Sequence, residues 1–177
     1  MSRSVPDPQA LPDREGSTPD TGAGSQNVRA LHYLHPSRFF VASRPHSVTT
    51  ILGSCVAVCL WDPVRKVGGM NHYLLPEGSG ASERPARFGT HATGLLVKEL
   101  LALGCNRRNL RAKVFGGAAV LGTARQDASH LGLKNVEIAR LVLKEEGIPI
   151  LVEDVGGDRG RKLVFQTDDG ETTVKVL

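Results

Sequence analysis

The 177-residue chain is predicted to adopt an α/β fold of the α+β kind, a layered sandwich of mostly antiparallel strands with two principal helices. Three observations predict it. Apolar, β-branched runs of strand length recur before and after a central region. Two stretches of helical periodicity lie inside that region. Gly, Pro and Asp turn signals sit between successive runs and favour hairpins.

Residues 1–27 are of another character. They hold four of the ten prolines and almost no large apolar residue, and their two positive and four negative charges sum to −2, so the rest of the chain, at +4 overall, carries +6. Such a segment buries too little apolar surface to offset its ordering entropy and is predicted to be a disordered tail. The folded domain then spans 28–177.

LHYLHPSRFFVASRPHSVTTIL, from Leu31, reads as short strands and turns. CVAVCLW (55–61) is apolar throughout, as a strand buried on both faces would be. Asp62-Pro63-Val64-Arg65 is a turn signal. KVGGMNHYLLP (66–76) is the returning strand, its Gly68-Gly69 pair marking a bulge or a close approach. Residues 77–88 read as an exposed loop. A helix is predicted over 89–103, with Ala92, Leu95, Leu96, Leu100 and Leu103 on one face and Gly104 as its stop. RAKVFGGAAV (111–120) is a strand ending in a Gly-Gly turn. A second helix over 134–146 carries Val136, Ala139, Val142 and Leu143 on one face. IPILVEDV, RKLVFQT and TTVKVL are the closing strands, with Asp169-Gly170 as a hairpin turn.

The chemistry starts from that first hairpin. Folding it about the midpoint of Asp62–Arg65 sets residues whose numbers sum to 127 opposite each other, and Cys55 then faces His72. Directly opposed side chains share a face, with Cβ atoms about 5 Å apart. A free thiol, with its pKa of about 8.5, is mostly protonated at neutral pH, so a thiol nucleophile needs a base beside it. An imidazole can take the proton and return it to the leaving group, if an acceptor orients its other nitrogen. Thr49, Thr50, Ser54 and Asn71 are the nearby candidates. The Gly53-Ser54-Cys55 run can aim backbone N–H groups at an oxyanion. The competing reading is a structural cysteine beside a core histidine.

Cys55 and Cys59 do not read as a metal site: four residues of strand span roughly 13 Å, too far for two thiolates to share one zinc at about 2.3 Å. Cys59 reads as a small core residue and Cys105 as a bystander in a connector. His32, His35, His46, His91 and His130 read as surface or loop residues. Gly116-Gly117 and Gly156-Gly157 lack the Lys-Ser/Thr ending of a phosphate loop, and GGDRGR (156–161) reads as a tight charged turn rather than an anion site at Arg159 and Arg161.

Composition narrows the class further. Eight aromatics and a diffuse charge of +4 offer no stacking platform for nucleic acid. No run of 18 apolar residues is present for a membrane span, and with no basic region followed by an apolar one near its start, no secretory signal is expected. Three cysteines do not make a disulfide framework. A cytoplasmic protein is expected, with no metal or organic cofactor.

LGSCVAVCLWDP, GGMNHYLLP, AKVFGGA, LGLKNVE and EDVGGDRGRKL, in this order, resemble the CheD family of chemoreceptor glutamine deamidases over roughly residues 30–177. The resemblance implies a CheD-like deamidase fold, distantly like bacterial toxins that deamidate glutamine, and a Cys-His-Thr triad. By position, Cys55 is the nucleophile, His72 the base and later acid, and Thr49, six residues before the cysteine, the orienting residue, with the adjacent Thr50 the other candidate. The implied reaction turns glutamine side chains of methyl-accepting chemotaxis receptors into glutamate, releasing ammonia through a thioester, as part of chemotaxis adaptation. The substrate being a protein surface, an open groove is expected. Some family members also bind a CheC-type phosphatase, a candidate partner here. The alternative is a non-catalytic adaptor that binds chemoreceptors or such a phosphatase through the same surface and needs no reactive thiol.

Overall fold

The computed structural model describes residues 28–78, 83–119 and 125–177. The 1–27 tail and part of the 77–88 loop lie outside the described residues. In chain order the elements are β1 (Ala30–Tyr33), β2 (Arg38–Ala42), β3 (His46–Leu52), β4 (Val56–Asp62), β5 (Val67–His72), α1 (Gly89–Ala102), β6 (Arg111–Gly116), α2 (Arg125–Glu145), β7 (Ile150–Val155), β8 (Arg161–Gln166) and β9 (Thr172–Val176). They form a four-stranded sheet, β1-β3-β8-β9, and a five-stranded sheet, β2-β5-β4-β6-β7. Pairing is antiparallel except between β1 and β3 and between β6 and β7. The expected α+β sandwich is therefore present.

The apolar run of β4 is explained by its place between two cores. Val56, Val58 and Leu60 face a cluster built with Leu96 and Leu100 of α1 and Val136, Ala139 and Leu143 of α2. Ala57, Cys59 and Trp61 face the other way, into a layer shared with Val48, Leu52, Leu163 and Phe165 of the smaller sheet. Alternation along one strand thus feeds both layers, and neither face can be polar. The Gly68-Gly69 pair is a close approach and not a bulge: a Cβ on Gly69 would lie 2.5 Å from the Phe40 carbonyl oxygen.

Several expectations are corrected. The β4–β5 register pairs Asp62 with Val67 and Cys59 with Met70, so facing numbers sum to 129 rather than 127. The connection between paired positions is two residues longer than its sequence suggests, with Lys66 in it at a left-handed φ of 56°. Asp62 closes it, its Oδ1 accepting from the Val64 and Arg65 N–H groups and its Oδ2 from Asn106 N–H. Helix α2 begins at Arg125, nine residues before the expected start, so His130 is helical; Gly132 and the polar first turns hide this from periodicity. His46 is buried between the sheets, its ring 5.1 Å from that of Phe40. The loop before α1 holds a short 3-10 turn, Pro85–Arg87, with Ala86 buried. Arg161 is buried as well, donating to the carbonyls of Gly116, Asp154 and Gly156, so it ties a turn together. No helix among the described residues is long and apolar enough to cross a membrane.

Candidate active site

Cys55 sits in the bend immediately before β4, and His72 ends β5. An isolated bridge between Val56 and Tyr73 continues the 129 register past the ladder. Leu74 therefore stands opposite Cys55, and Ala57 opposite His72. A slip of two residues preserves parity, so Cys55 and His72 still share a face as diagonal neighbours, with Cα atoms about 7–8 Å apart for such a pair. That face is the layer between the sheets, against which Cys55 is partly packed.

Each nitrogen of the His72 ring has a distinct environment. Nδ1 lies 2.8 Å from Thr50 Oγ1, and the same hydroxyl donates to the Leu34 carbonyl at 2.8 Å. A hydroxyl has one proton to give. With that proton on Leu34, the Nδ1–H must donate to Thr50, and the lone pair is left on Nε2. Nε2 is buried and makes no hydrogen bond among the described residues. His72 is 1% exposed, and burial pushes its pKa down to about 4, partly opposed by the nearby Leu34 carbonyl. The ring is a neutral base at neutral pH.

The two threonines separate by strand alternation. Val48, Thr50 and Leu52 are buried on the inner face of β3, whereas Ser47, Thr49 and Ile51 lie on the outer face. Of the two threonine candidates, Thr50 is the one whose hydroxyl reaches the imidazole, because adjacent strand residues point to opposite faces. Asn71 is also on the wrong face. Its Oδ1 accepts from Val58 N–H, and its Nδ2 donates to Thr93 on α1.

The cysteine bend is pinned by the end of β6. Gly117 N–H donates to the Cys55 carbonyl and Ala118 N–H to the Gly53 carbonyl, each at 2.8 Å. Gly116, at φ 110°, permits this contact: a Cβ there would lie 2.2 Å from the Cys55 carbonyl oxygen. Gly53 N–H donates to the Cys55 sulfur at 3.4 Å. Burial nonetheless raises the Cys55 thiol, with the Gly53 and Cys55 backbone amides opposing it. The resting site therefore pairs a neutral thiol with a neutral imidazole. Cys59 is fully buried and held protonated by burial, and burial pushes Cys105 up to about 11.

The model of the CheD family, described as CheD chemotactic sensory transduction, matches residues 74–176. A protein of Anaeromyxobacter dehalogenans named "Probable chemoreceptor glutamine deamidase CheD 1" is 50% identical over 172 residues, which cover 95% of this chain and 96% of that one. The chain belongs to the CheD family.

Another CheD relative, a probable chemoreceptor glutamine deamidase of Sulfurimonas denitrificans, is 42% identical over 145 residues, covering 82% of this chain and 93% of its own. Among solved structures, a Neisseria meningitidis protein of the DUF152 family shares 14% identity at a TM-score of 0.44, covering 80% of this chain and 76% of that chain. The CheD family match begins two residues after His72 and covers neither Cys55 nor His72.

In this CheD chain, reading the sequence missed Asn135. It is fully buried on α2, its Nδ2 donates to Ser54 O at 2.9 Å and to Leu74 O at 3.0 Å, and its carbonyl accepts from the Tyr73 hydroxyl. The available signal was an amide in the apolar phase of α2, three residues after Gly132 and four before Ala139. No group of three or more His, Cys, Asp or Glu among the described residues could hold a metal ion. A groove of about 460 Å³ is lined by Pro76, Glu77, Lys134, Glu137, Ile138 and Leu141, and neither Cys55 nor His72 lines it.

Proposed function

We propose that this CheD-family protein deamidates glutamine side chains of methyl-accepting chemotaxis receptors, with Cys55 as nucleophile, His72 as general base and acid, and Thr50 as the residue that orients His72. The observation that carries this reading is the division of labour on one imidazole. Thr50 takes up Nδ1–H, leaving Nε2 basic, buried and on the same face as the half-buried Cys55. The deamidase names of the relatives at 42–50% identity supply the substrate.

The chemistry balances without a cofactor. As the Cys55 sulfur attacks the side-chain carbonyl carbon, its proton passes to His72 Nε2. The carbonyl oxygen becomes an oxyanion, which backbone N–H groups of the 53–55 bend stabilise. The imidazolium returns its proton to the amide nitrogen, the C–N bond breaks and ammonia leaves a thioester. Water then attacks the thioester, giving up one proton to Nε2. The C–S bond breaks, the sulfur recovers the proton, and glutamate is released. Because the imidazole stays neutral until the thiol reacts, proton transfer accompanies attack.

Action in the cytoplasm, and a CheC-type phosphatase as a regulatory partner, belong to the same family reading. The decisive experiment incubates the purified protein with a receptor signalling fragment and maps deamidated glutamines by mass spectrometry. Wild type should convert particular glutamines to glutamate. Cys55→Ala should fold with an unchanged melting temperature and lose at least about a thousandfold in rate. Normal conversion by that variant would end the proposal.

A further inference from the structure

Beyond the end of β4 and β5 the strands no longer pair by backbone. Past the Val56–Tyr73 bridge, the Ser54 and Leu74 carbonyls both direct their lone pairs at one amide nitrogen, Nδ2 of Asn135. Two acceptors converging on one point repel each other unless a group with two protons sits between them. That requirement fixes the amide orientation and excludes Asp, Leu or Ala as equivalents. The same residue receives the Tyr73 hydroxyl on its main-chain carbonyl, so one turn of α2 grips both arms of the hairpin. Ser54 directly precedes the nucleophile, and Tyr73 and Leu74 directly follow the base. Asn135 Oδ1 meanwhile is buried without a partner among the described residues.

We propose that Asn135 is a positioning residue that fixes the separation of Cys55 and His72 by bridging the Ser54 and Leu74 carbonyls. It touches neither sulfur nor imidazole; it acts through the backbone on either side of the pair. A second contact supports the same role. Gly132, one turn earlier on α2, packs so closely on Gly117 that a Cβ on it would lie 2.4 Å from the Gly117 carbonyl oxygen, and Gly117 N–H holds the Cys55 carbonyl. Helix α2 thus sets the cysteine bend from two neighbouring points. The inference rests on the deamidase reading for its catalytic consequence, but its geometric content is independent of the substrate.

The test compares full-length wild type, Asn135→Ala, the isosteric Asn135→Asp, and Leu143→Ala, a core truncation two turns further along α2. Deamidation of the receptor fragment is measured as kcat and KM, and Cys55 alkylation by iodoacetamide is followed across pH. Both Asn135 variants should lose about 10- to 100-fold in kcat with KM within about twofold, and their alkylation profile should move to that of an ordinary thiol. Leu143→Ala should lower the melting temperature yet keep kcat and the alkylation profile. Unchanged kcat in the Asn135 variants, a loss confined to KM, or an equal loss in Leu143→Ala would overturn the proposal. If Asn135→Ala does not fold, Asn135→Asp carries the same comparison. If wild type deamidates no receptor glutamine, the functional reading falls, while the alkylation profiles still decide whether Asn135 positions Cys55.

Discussion

Thr50 on β3 of one sheet holds the ring of His72 on β5 of the other, with 2.8 Å between Oγ1 and Nδ1. The candidate site is therefore a seam: His72 comes from the larger sheet, the Thr50 hydroxyl from the smaller, and Cys55 from the bend that joins β3 to β4. Neither sheet alone contains it.

The seam separates the two threonines experimentally. Thr50→Val removes the acceptor for Nδ1–H and should lower kcat by roughly 10- to 100-fold, whereas Thr50→Ser retains the hydroxyl and should keep most of the rate. Thr49→Val, on the outer face of β3, should change stability by no more than about 0.5 kcal/mol and leave kcat alone. Ammonia release from a receptor fragment measures all three, and the reverse order of effects would return the orienting role to Thr49.

The buried imidazole makes stability depend on pH. In the folded protein His72 resists protonation down to about pH 4, while in the unfolded chain it takes a proton near its ordinary pKa of about 6.5. The unfolded state therefore binds more protons between these values, and the contribution of His72 to stability is whole above about 6.5 and is lost as pH falls towards 4. The loss should reach roughly 3 kcal/mol by pH 4. Urea denaturation of wild type and His72→Gln across this range isolates it, since the other titrating groups cancel in the difference. Parallel pH slopes for the two proteins would contradict it.

Burial raises the Cys55 thiol as well. Alkylation of the resting protein should be slow at pH 7 and rise only above the ordinary thiol range, with Cys59 unreactive throughout because it is fully buried. Iodoacetamide labelling read by peptide mass spectrometry would show this. A fast plateau below pH 7 would instead indicate a preformed thiolate–imidazolium pair.

Gly116→Ala is expected to do the most local damage. The new Cβ would lie 2.2 Å from the Cys55 carbonyl oxygen, at a φ of 110° that L side chains rarely adopt. It should cost about 1–3 kcal/mol from backbone strain alone and displace the bend that carries Cys55. Thermal denaturation together with deamidation rate reads both effects, and a variant of wild-type stability and rate would refute the assigned contact.

Much of the site was legible in the linear chain for one reason: a hairpin places residues at computable positions. Cys55 and His72 were paired by folding the chain about its Asp-Pro turn. The register was displaced by two because Lys66 joins the turn in a left-handed conformation, yet an even displacement keeps both side chains on one face. Thr49 and Thr50 are not separable in the linear chain, because which of them reaches the ring depends on which face of β3 meets the other sheet. The burial of His46 depends on the same choice of face.

Asn135 marks the limit of sequence reasoning. The amide stands 80 residues from Cys55 in the chain and meets the hairpin only because α2 packs across the end of β4.

The amino-acid sequence by itself determined the strands, the helical faces and the hairpin that unites thiol and imidazole, since these follow from local periodicity and turn chemistry. Only the tertiary structure decided which threonine reaches the ring, how the hairpin mouth is held and why Nε2 is the basic nitrogen. Those are settled by the packing of one sheet on another and of α2 on both arms, and such contacts between distant segments leave no period in the chain.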